Sequence, residues 1–304
     1  MPCDDWLMGV TRTISRLGLG AGVLAAAWSV AIEPYWFQIR REVVERPGQK
    51  LFRILHLSDL HLTKKTKSLQ AWLQTLDSED PDLIIVTGDL IADPLAIDPL
   101  LDSLDTLLDR PGVFVLGSND YFAPVLKNPA KYLMPDNGER DHGADMPWQD
   151  MVSTLTNRGW IDLSNQETTL DINGAKIQIK GVDDPHINKD DLSKVSNPYG
   201  SVDLKLAIAH APYLRVLDAF ADLGADLMLA GHTHGGQLRI PGVGALVANC
   251  DIDLKRTKGL HPHISANGNT SVINVSAGLG HSPFTPFRFA CRPEAVMITV
   301  GIDQ

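Results

Sequence analysis

The sequence predicts an α/β protein with two sheets packed face to face and helices outside them. Three observations carry this. Short apolar runs at Phe52–Leu57, Leu83–Val86 and Val113–Leu116 each end in a polar, turn-forming residue. Helical patterns separate them, and alternating buried strands and helices argue for a substantially parallel core. The second half changes to hairpins and short strands around Asn173-Gly174, a dipeptide that favours a tight hairpin turn.

Taken in order, Leu17–Ile32 is an uncharged run of 16 residues, with Arg12 and Arg16 before it and Glu33-Pro34-Tyr35-Trp36-Phe37 after. As a helix it spans roughly 24 Å at about 1.5 Å per residue, short of the ~30 Å hydrocarbon core. Three readings stay open. It is a weak membrane anchor with Trp28, Tyr35, Trp36 and Phe37 at the interface, a signal peptide without a clear cleavage site, or a helix packed on the domain. Arginines on both sides leave orientation unsettled. The expected division is residues 1–44 as a hydrophobic segment and 45–304 as one catalytic domain, so deletion of 1–44 is expected to leave a soluble, active protein. Beyond it, helices are expected at Lys67–Leu76 and at Leu95–Leu108, where Leu100, Leu101, Leu104, Leu107 and Leu108 recur at helical spacing. Phe122–Trp148, rich in Pro, Asp, Gly and Asn, reads as a long surface excursion. Thr168–Asp171 and Lys176–Lys180 flank the Asn173-Gly174 turn. Leu204–Ala209, a helix near Tyr213–Leu223, Leu227–Ala230, Gln237–Ile240, Ala245–Ala248, Val272–Val275 and Ala295–Val300 follow.

Composition bounds the function. The chain has 304 residues, is 44% hydrophobic and 21% charged, and carries 27 Lys+Arg against 37 Asp+Glu for a formal net charge of -10. That excludes a disordered or collagen-like chain and leaves no electrostatic footprint for nucleic acid. Cys3, Cys250 and Cys291 are far apart and lack CxxC spacing, so no zinc knuckle or disulfide framework is implied, although a Cys250–Cys291 bridge remains open.

The chemistry lies where the strands end. Asp59 and His61 follow the first run, Asp89 the second, Asn119 the third. His210 follows Leu204–Ala209, and His232 and His234 follow Leu227–Ala230. Ligands of open α/β sheets gather at the carboxyl ends of strands. Singly, each is as readily a turn or cap; the Gly231-His232-Thr233-His234-Gly235-Gly236 loop is stronger, since its glycines let two imidazoles face one centre. Together, and in this order, they read as a metal site.

The ordered blocks Asp59-Leu60-His61, Gly88-Asp89, Gly117-Ser118-Asn119-Asp120, His210 and Gly231-His232-Thr233-His234 resemble the calcineurin-like metallophosphoesterase superfamily. The resemblance runs from about Leu51 to the C-terminus. Gly278-Leu279-Gly280, Phe287-Arg288-Phe289 and Arg292-Pro293-Glu294 resemble a bacterial branch with an N-terminal hydrophobic segment, similar to membrane-associated UDP-diacylglucosamine pyrophosphatase-like phosphoesterases. The resemblance implies a four-layer α/β/β/α sandwich of two mixed sheets, with the metal site at the strands' carboxyl ends. It implies two divalent ions, Mn²⁺, Fe²⁺ or Zn²⁺, of which one takes Asp59, His61 and His234 and the other Asn119, His210 and His232, with Asp89 bridging. It also implies hydrolysis of a phosphodiester or pyrophosphate bond by a metal-bound hydroxide.

One block departs from the family's Gly-Asn-His-Asp. Without a gap, Ser118 stands at the ligand position and Asn119 at the catalytic His; with a one-residue slip, Asn119 is the ligand and Asp120 replaces the His. We favour Asn119 as ligand, since an amide oxygen matches better, and keep Asn119 and Asp120 as catalytic candidates. On either alignment the His is missing, so the enzyme is expected to prefer good leaving groups or to use another acid such as Asp120, His186 or His281. Arg288 and Arg292 are candidate substrate-phosphate ligands. Asp183-Asp184-Pro185-His186 is expected to border the pocket or form a plain turn, and His261-Pro262-His263 to be a surface loop. The competing functions are a catalytically weak, metal-stabilised binding module and a protein phosphatase. A lipid-linked substrate and a membrane surface are the expected partners, with a cytoplasmic location as the alternative.

Overall fold

The computed structural model describes residues 20, 22–46, 51–126 and 142–301. Its body is four layers. The first sheet takes β1 (Gln38–Val44), β14 (Glu294–Val300), β2 (Phe52–Leu57), β3 (Leu83–Thr87), β4 (Gly112–Val115) and β5 (Ile161–Asp162), in that order. The second takes β12 (Gly259–Ile264), β13 (Thr270–Val275), β9 (Leu227–Ala230), β8 (Leu204–Ile208), β7 (Ala175–Gly181) and β6 (Gln166–Ile172). Both are mixed: β2, β3 and β4 run parallel, β14 runs antiparallel to β2, and β6–β7 and β12–β13 are antiparallel pairs.

The apolar runs lack in/out polarity because both faces of their strands are buried. Ile54, Leu83, Ile85, Val113 and Val115 face Ile177, Ile179, Leu206, Ile208 and Leu229 between the sheets. The alternate residues Leu55, Leu57, Ile84, Val86 and Phe114 face outward, under α2 (Lys67–Leu73), α3 (Ile97–Leu104) and α5 (Trp148–Asn157). On the other side, α6 (Leu214–Asp222) buries Val216, Leu217 and Phe220 against Ala207, Met228 and Ile273. Burying such a side chain is worth about 1.5–3 kcal/mol, so three apolar layers hold the strands' polar ends in fixed register.

Several expectations change. The first helix stops at Leu73, and a 3₁₀ turn, Leu76–Glu79, follows; the second shortens to α3 plus the 3₁₀ turn Leu107–Asp109. The strands expected at Gln237–Ile240 and Ala245–Ala248 shrink to a separate ribbon, β10 (Arg239–Ile240) with β11 (Gly244–Ala245). His261-Pro262-His263 lies not in a loop but in edge strand β12, where a proline is tolerated. His263 there is buried, 2.8 Å from Asp218. Of the excursion Phe122–Trp148, residues 127–141 lie outside the described residues; Phe122 bridges to Asp145, and Trp148 opens α5. Asn173 and Gly174 take left-handed conformations in the β6–β7 turn, as the dipeptide requires. Cys291 is a free, buried thiol, so no bridge joins it to Cys250.

The expected boundary at residue 44 is also corrected. β1 pairs in parallel with β14 from Gln38↔Glu294 to Val44↔Val300, so sheet pairing starts the domain by Gln38, and deletion through 44 removes a structural strand. Its sequence, with Arg40, Arg41 and Glu42, hides the strand because it lies at an edge. Of the run Leu17–Ile32, residues 17–19 and 21 lie outside the described residues, and residues 22–31 are helical (α1). Ser29 accepts from the Arg288 N–H, and buried Glu33 accepts from the Trp28 indole and the Cys291 N–H. Among the described residues no helix is long and apolar enough to cross a membrane.

Candidate metal centre

The loops after β2, β3, β4, β8 and β9 meet at one rim of the sandwich. Their backbones lock together: the Asp59 N–H donates to Gly88 O and the His61 N–H to Asp89 O, at 3.0 and 2.9 Å. Asp59, His61, Asp89, His232 and His234 all have left-handed backbone angles, φ 43–67°. Such conformations cost on the order of 1–3 kcal/mol each and concentrate at functional sites. Gly231 is forced, because a Cβ there would lie 1.8 Å from Ser58 Oγ and 2.5 Å from Asp59 Oδ2.

The side chains form two overlapping clusters. His61 Nε2 and His234 Nε2 are 3.2 Å apart, and His234 Nε2 is 3.6 Å from Asp59 Oδ1. Asp89 Oδ2 stands between the clusters, 3.5 Å from His61 Nε2 and 3.6 Å from His210 Nε2. His232 Nδ1 lies 3.3 Å from His210 Nε2. Asp59, His61 and His234 offer ligand atoms within 4.8 Å of one another, and so do Asp59, Asp89 and His210. Two of the imidazoles also show the outer hydrogen bond typical of metal-ligating His. His210 Nδ1 is 2.7 Å from Thr87 O, and His232 Nε2 is 3.2 Å from Asn249 O, which leaves the opposite nitrogens facing inward.

These residues fit a pair of divalent cations. Asp59 Oδ1 is buried without a hydrogen-bond partner, an arrangement costly unless something else binds it. Carboxylate and imidazole donors suit Mn²⁺, Fe²⁺ or Zn²⁺ better than Ca²⁺. The electrostatics follow from burial among like and unlike charges. Burial, with Asp89 adding to it, raises Asp59 to about 6. Burial also raises Asp89, but His210 and His61 outweigh it and hold that carboxylate low. For His210 burial lowers the pKa, while Asp89, Asp184 and Asp59 push it up to about 10. Burial lowers His61 to about 4 and carries His232 and His234 well below the usual value.

The structure brings Asp59, His61, Asp89, His210, His232 and His234 together, with Asn119 beside them. The Asn119 N–H donates to Asp89 Oδ1 at 2.8 Å and its Nδ2 to Asp89 Oδ2 at 2.7 Å. Asp120, on the short helix α4 (Ser118–Tyr121), turns the other way. Its buried carboxylate accepts the N–H groups of Gly117, Asp89, Leu90 and Ile91, so its oxygens are engaged in tying the β3 and β4 loops together. Burial and the Asp89 charge raise it to about 8.

Arg288 is not open to a substrate. It is wholly buried, and its guanidinium donates to Ala277 O, Gly278 O, Gly280 O and Cys291 O. It lies 3.3 Å behind His234 Nδ1. Arg292 covers the Trp36 ring at 4.0 Å and donates to Trp36 O and Phe37 O, pinning the N-terminal segment. The substrate role expected of Arg288 therefore gives way to support of the site, while Arg292, partly exposed, braces its flank. His186 does reach the rim: its ring lies 4.3 Å from that of His232, and its Nδ1 is 3.1 Å from Tyr213 Oη. Asp184 is buried beside it, raised to about 7 by burial and by Asp89. Sequence reasoning passed over His56, Thr87 and Asn274, whose only signal is a polar side chain inside an apolar strand.

Residues 52–236 match the family described as calcineurin-like phosphoesterase, and the chain belongs to it. It is 30% identical over 255 residues to the uncharacterized metallophosphoesterase YkoQ of Bacillus subtilis (strain 168), covering 82% of this chain and 83% of that one. It is 28% identical over 273 residues to phosphodiesterase YaeI of Escherichia coli (strain K12), covering 88% and 89%. The uncharacterized metallophosphoesterase YkuE of Bacillus subtilis (strain 168) is 26% identical over 303 residues, covering 93% of each. The chain is a hydrolase of the metallophosphoesterase class, and its Asp/His clusters are placed for two divalent metal ions.

Proposed function

We propose that this phosphoesterase cleaves a phosphodiester or pyrophosphate bond in an amphiphilic, lipid-linked substrate at a membrane surface, using Mn²⁺, Fe²⁺ or Zn²⁺. The observation that carries the chemistry is Asp89, whose Oδ2 lies between His61 and His210 and so joins the two ligand clusters. Asp59, His61, Asp89, His210, His232 and His234 would hold two cations there, which would supply an acidified water and neutralise the phosphoryl oxygens. The chain's own part is to fix geometry. Thr87 O and Asn249 O orient His210 and His232, Asn119 steadies Asp89, and Asp120 fastens the loops that carry them. Asn119 and Asp120 are the residues we assign to the block where the family has its catalytic His. Since an amide releases no proton and the Asp120 oxygens serve backbone amides, good leaving groups are favoured.

The membrane part rests on the flank. Val23, Leu24, Val30 and Ile32 on or beside α1 and the aromatics Tyr35 and Trp36 are exposed, and Arg292 holds Trp36 against the domain. Aromatic and aliphatic side chains grouped in this way suit an interface. Turnover of bis-p-nitrophenyl phosphate, an alkyl phosphodiester and a lipid pyrophosphate, each with Mn²⁺, Fe²⁺, Mg²⁺ and Zn²⁺ in turn, tests the reading. Hydrolysis with one of these metals, lost to chelators, is expected. Equal aryl and alkyl rates would remove the leaving-group preference. Metal binding without turnover of any of these would favour the binding module.

A further inference from the structure

A chain of buried polar groups crosses the molecule between the sheets and ends on a metal ligand. It starts at Arg40 on β1, held by Glu294 at 3.1 Å. Arg40 donates to Asn274 Oδ1 at 2.8 Å. Asn274 Nδ2 lies 3.0 Å from His56 Nδ1, and His56 Nε2 lies 2.9 Å from Thr87 Oγ1. The Thr87 hydroxyl donates to Ser58 Oγ at 2.8 Å, and Ser58 to Asp59 Oδ2 at 2.6 Å. His56, Ser58, Asp59, Thr87 and Asn274 are all fully buried.

The direction of every link follows from its first member. A guanidinium only donates, so it fixes the amide of Asn274 with its oxygen toward Arg40 and its NH₂ toward His56. His56 Nδ1 must then accept, so the ring proton sits on Nε2 and is donated to Thr87. Thr87 passes its own proton to Ser58, and Ser58 to Asp59. Burial first, and then Arg40, lower His56 to about 3, consistent with a neutral ring. At the far end Asp59 Oδ2 also accepts the His232 N–H at 2.9 Å, which leaves Oδ1 without a hydrogen bond and 3.6 Å from His234 Nε2.

We infer that Arg40, Asn274, His56, Thr87 and Ser58 form a one-way positioning relay that holds Asp59 with a single oxygen presented to the metal. It rests on the metal centre described above. Outer hydrogen-bond partners of this kind typically matter about 10–100-fold in metal affinity or activity. A plain buried network would merely satisfy polar groups in the core, and polarity separates the two cases. Asn274→Asp keeps the shape but offers only acceptors to His56, so the ring proton moves to Nδ1. Thr87 then donates to His56, and the Ser58 hydroxyl is drawn to Thr87 Oγ1, away from Asp59.

The test uses the full chain, with Mn²⁺ dissociation constants from calorimetry and the His56 tautomer from ¹⁵N NMR. Wild type should show the Nε2–H form. N274D should show the Nδ1–H form with about 10-fold weaker Mn²⁺ binding, and S58A should weaken it at least as much. Adding N274D to T87V should change nothing further, because the link is already cut. Unchanged Mn²⁺ affinity in N274D with the tautomer switched, unchanged affinity in S58A, or the same N274D loss in the T87V background would each overturn the relay. Wild-type protein that binds no Mn²⁺, Fe²⁺ or Zn²⁺ would instead overturn the metal centre beneath it.

Discussion

The two rims of the sandwich carry the same residue type to opposite ends. At the amino ends of β2, β3 and β4, Asp80 and Asp77 are exposed and paired with Arg53 and Arg110 at 2.6–3.1 Å, and Glu79 meets Arg41 at 2.7 Å. At the carboxyl ends, Asp59, Asp89, Asp120 and Asp184 are buried, and they face imidazoles and amides rather than Lys or Arg. The Asp80 carboxyl is held low by hydrogen bonds from Arg110 and Arg53, whereas Asp59, Asp120 and Asp184 are raised by burial. The amino-end acids are neutralised by the protein itself. Of the carboxyl-end acids, Asp120 and Asp184 serve backbone amides, while Asp59 and Asp89 are left for a cation to neutralise, which is the mark of a site rather than of a stabilising surface.

The largest test of that contrast is Asp89→Asn. The amide keeps the volume but removes the charge shared by both clusters. Turnover should fall by about 10³-fold, about 4 kcal/mol in barrier height, with the far-ultraviolet spectrum unchanged. Activity within tenfold of wild type would mean that Asp89 does not join the two clusters.

Arg288→Met comes next, because it strips a buried cation that supports the carboxyl rim from behind. The carbonyls of Ala277 and Gly280 lose their donor, while Gly278 O keeps the Glu294 N–H. Leaving buried acceptors unpaired costs about 1–3 kcal/mol each when no water replaces the donor. A fall in Tm of several degrees is expected, together with weaker metal binding through His234. Arg288→Lys should not restore both in full, since an ammonium lacks the second nitrogen that holds Cys291 O while the first serves the other carbonyls. Full rescue by Lys would show that charge alone is needed.

What was legible in the sequence divides along the same line. Asp59, Asp89, Asn119, His210, His232 and His234 were readable because each ends an apolar run, and buried strands end where the chain must turn. Two packed sheets with helices outside followed from those runs, and the family resemblance implied the four layers. β1 was hidden because Arg40, Arg41 and Glu42 break the apolar pattern of an edge strand whose partner, β14, lies some 250 residues on in the sequence. The fate of Arg288 was hidden for a related reason: an arginine in a Phe-Arg-Phe loop reads as a phosphate ligand until its carbonyl partners, 8–11 residues before it, are seen folded around it. β12 was hidden by Pro262, which only an edge position accommodates.

A smaller effect separates the rims by pH. Folded His56 stays neutral down to about pH 3, while in the unfolded chain it takes up a proton near 6.5. Between those values the unfolded state binds more protons, so this group's contribution to stability is whole above pH 6.5 and is lost as pH falls toward 3. The slope is about 1.4 kcal/mol per pH unit. His56→Asn should flatten the acid limb of a urea-denaturation series by that amount, and an unchanged limb would place the ring in a less buried setting.

The smallest effect is predicted at the other rim. Asp80 has every outward sign of importance: a left-handed backbone at φ 49° and hydrogen bonds to both Arg53 and Arg110. Yet its carboxylate is open to water, where ion pairs are screened and contribute little. Arg110 keeps Asp77 and the carbonyl of Pro81 without it, and an asparagine tolerates the same backbone angle. Asp80→Asn should therefore leave Tm, metal content and turnover at wild-type values in 0.15 M salt, assayed beside Asp89→Asn. A marked loss of metal from this variant would mean that the amino rim communicates with the carboxyl rim through β2 and β3, and that the division between paired and cation-dependent acids does not hold.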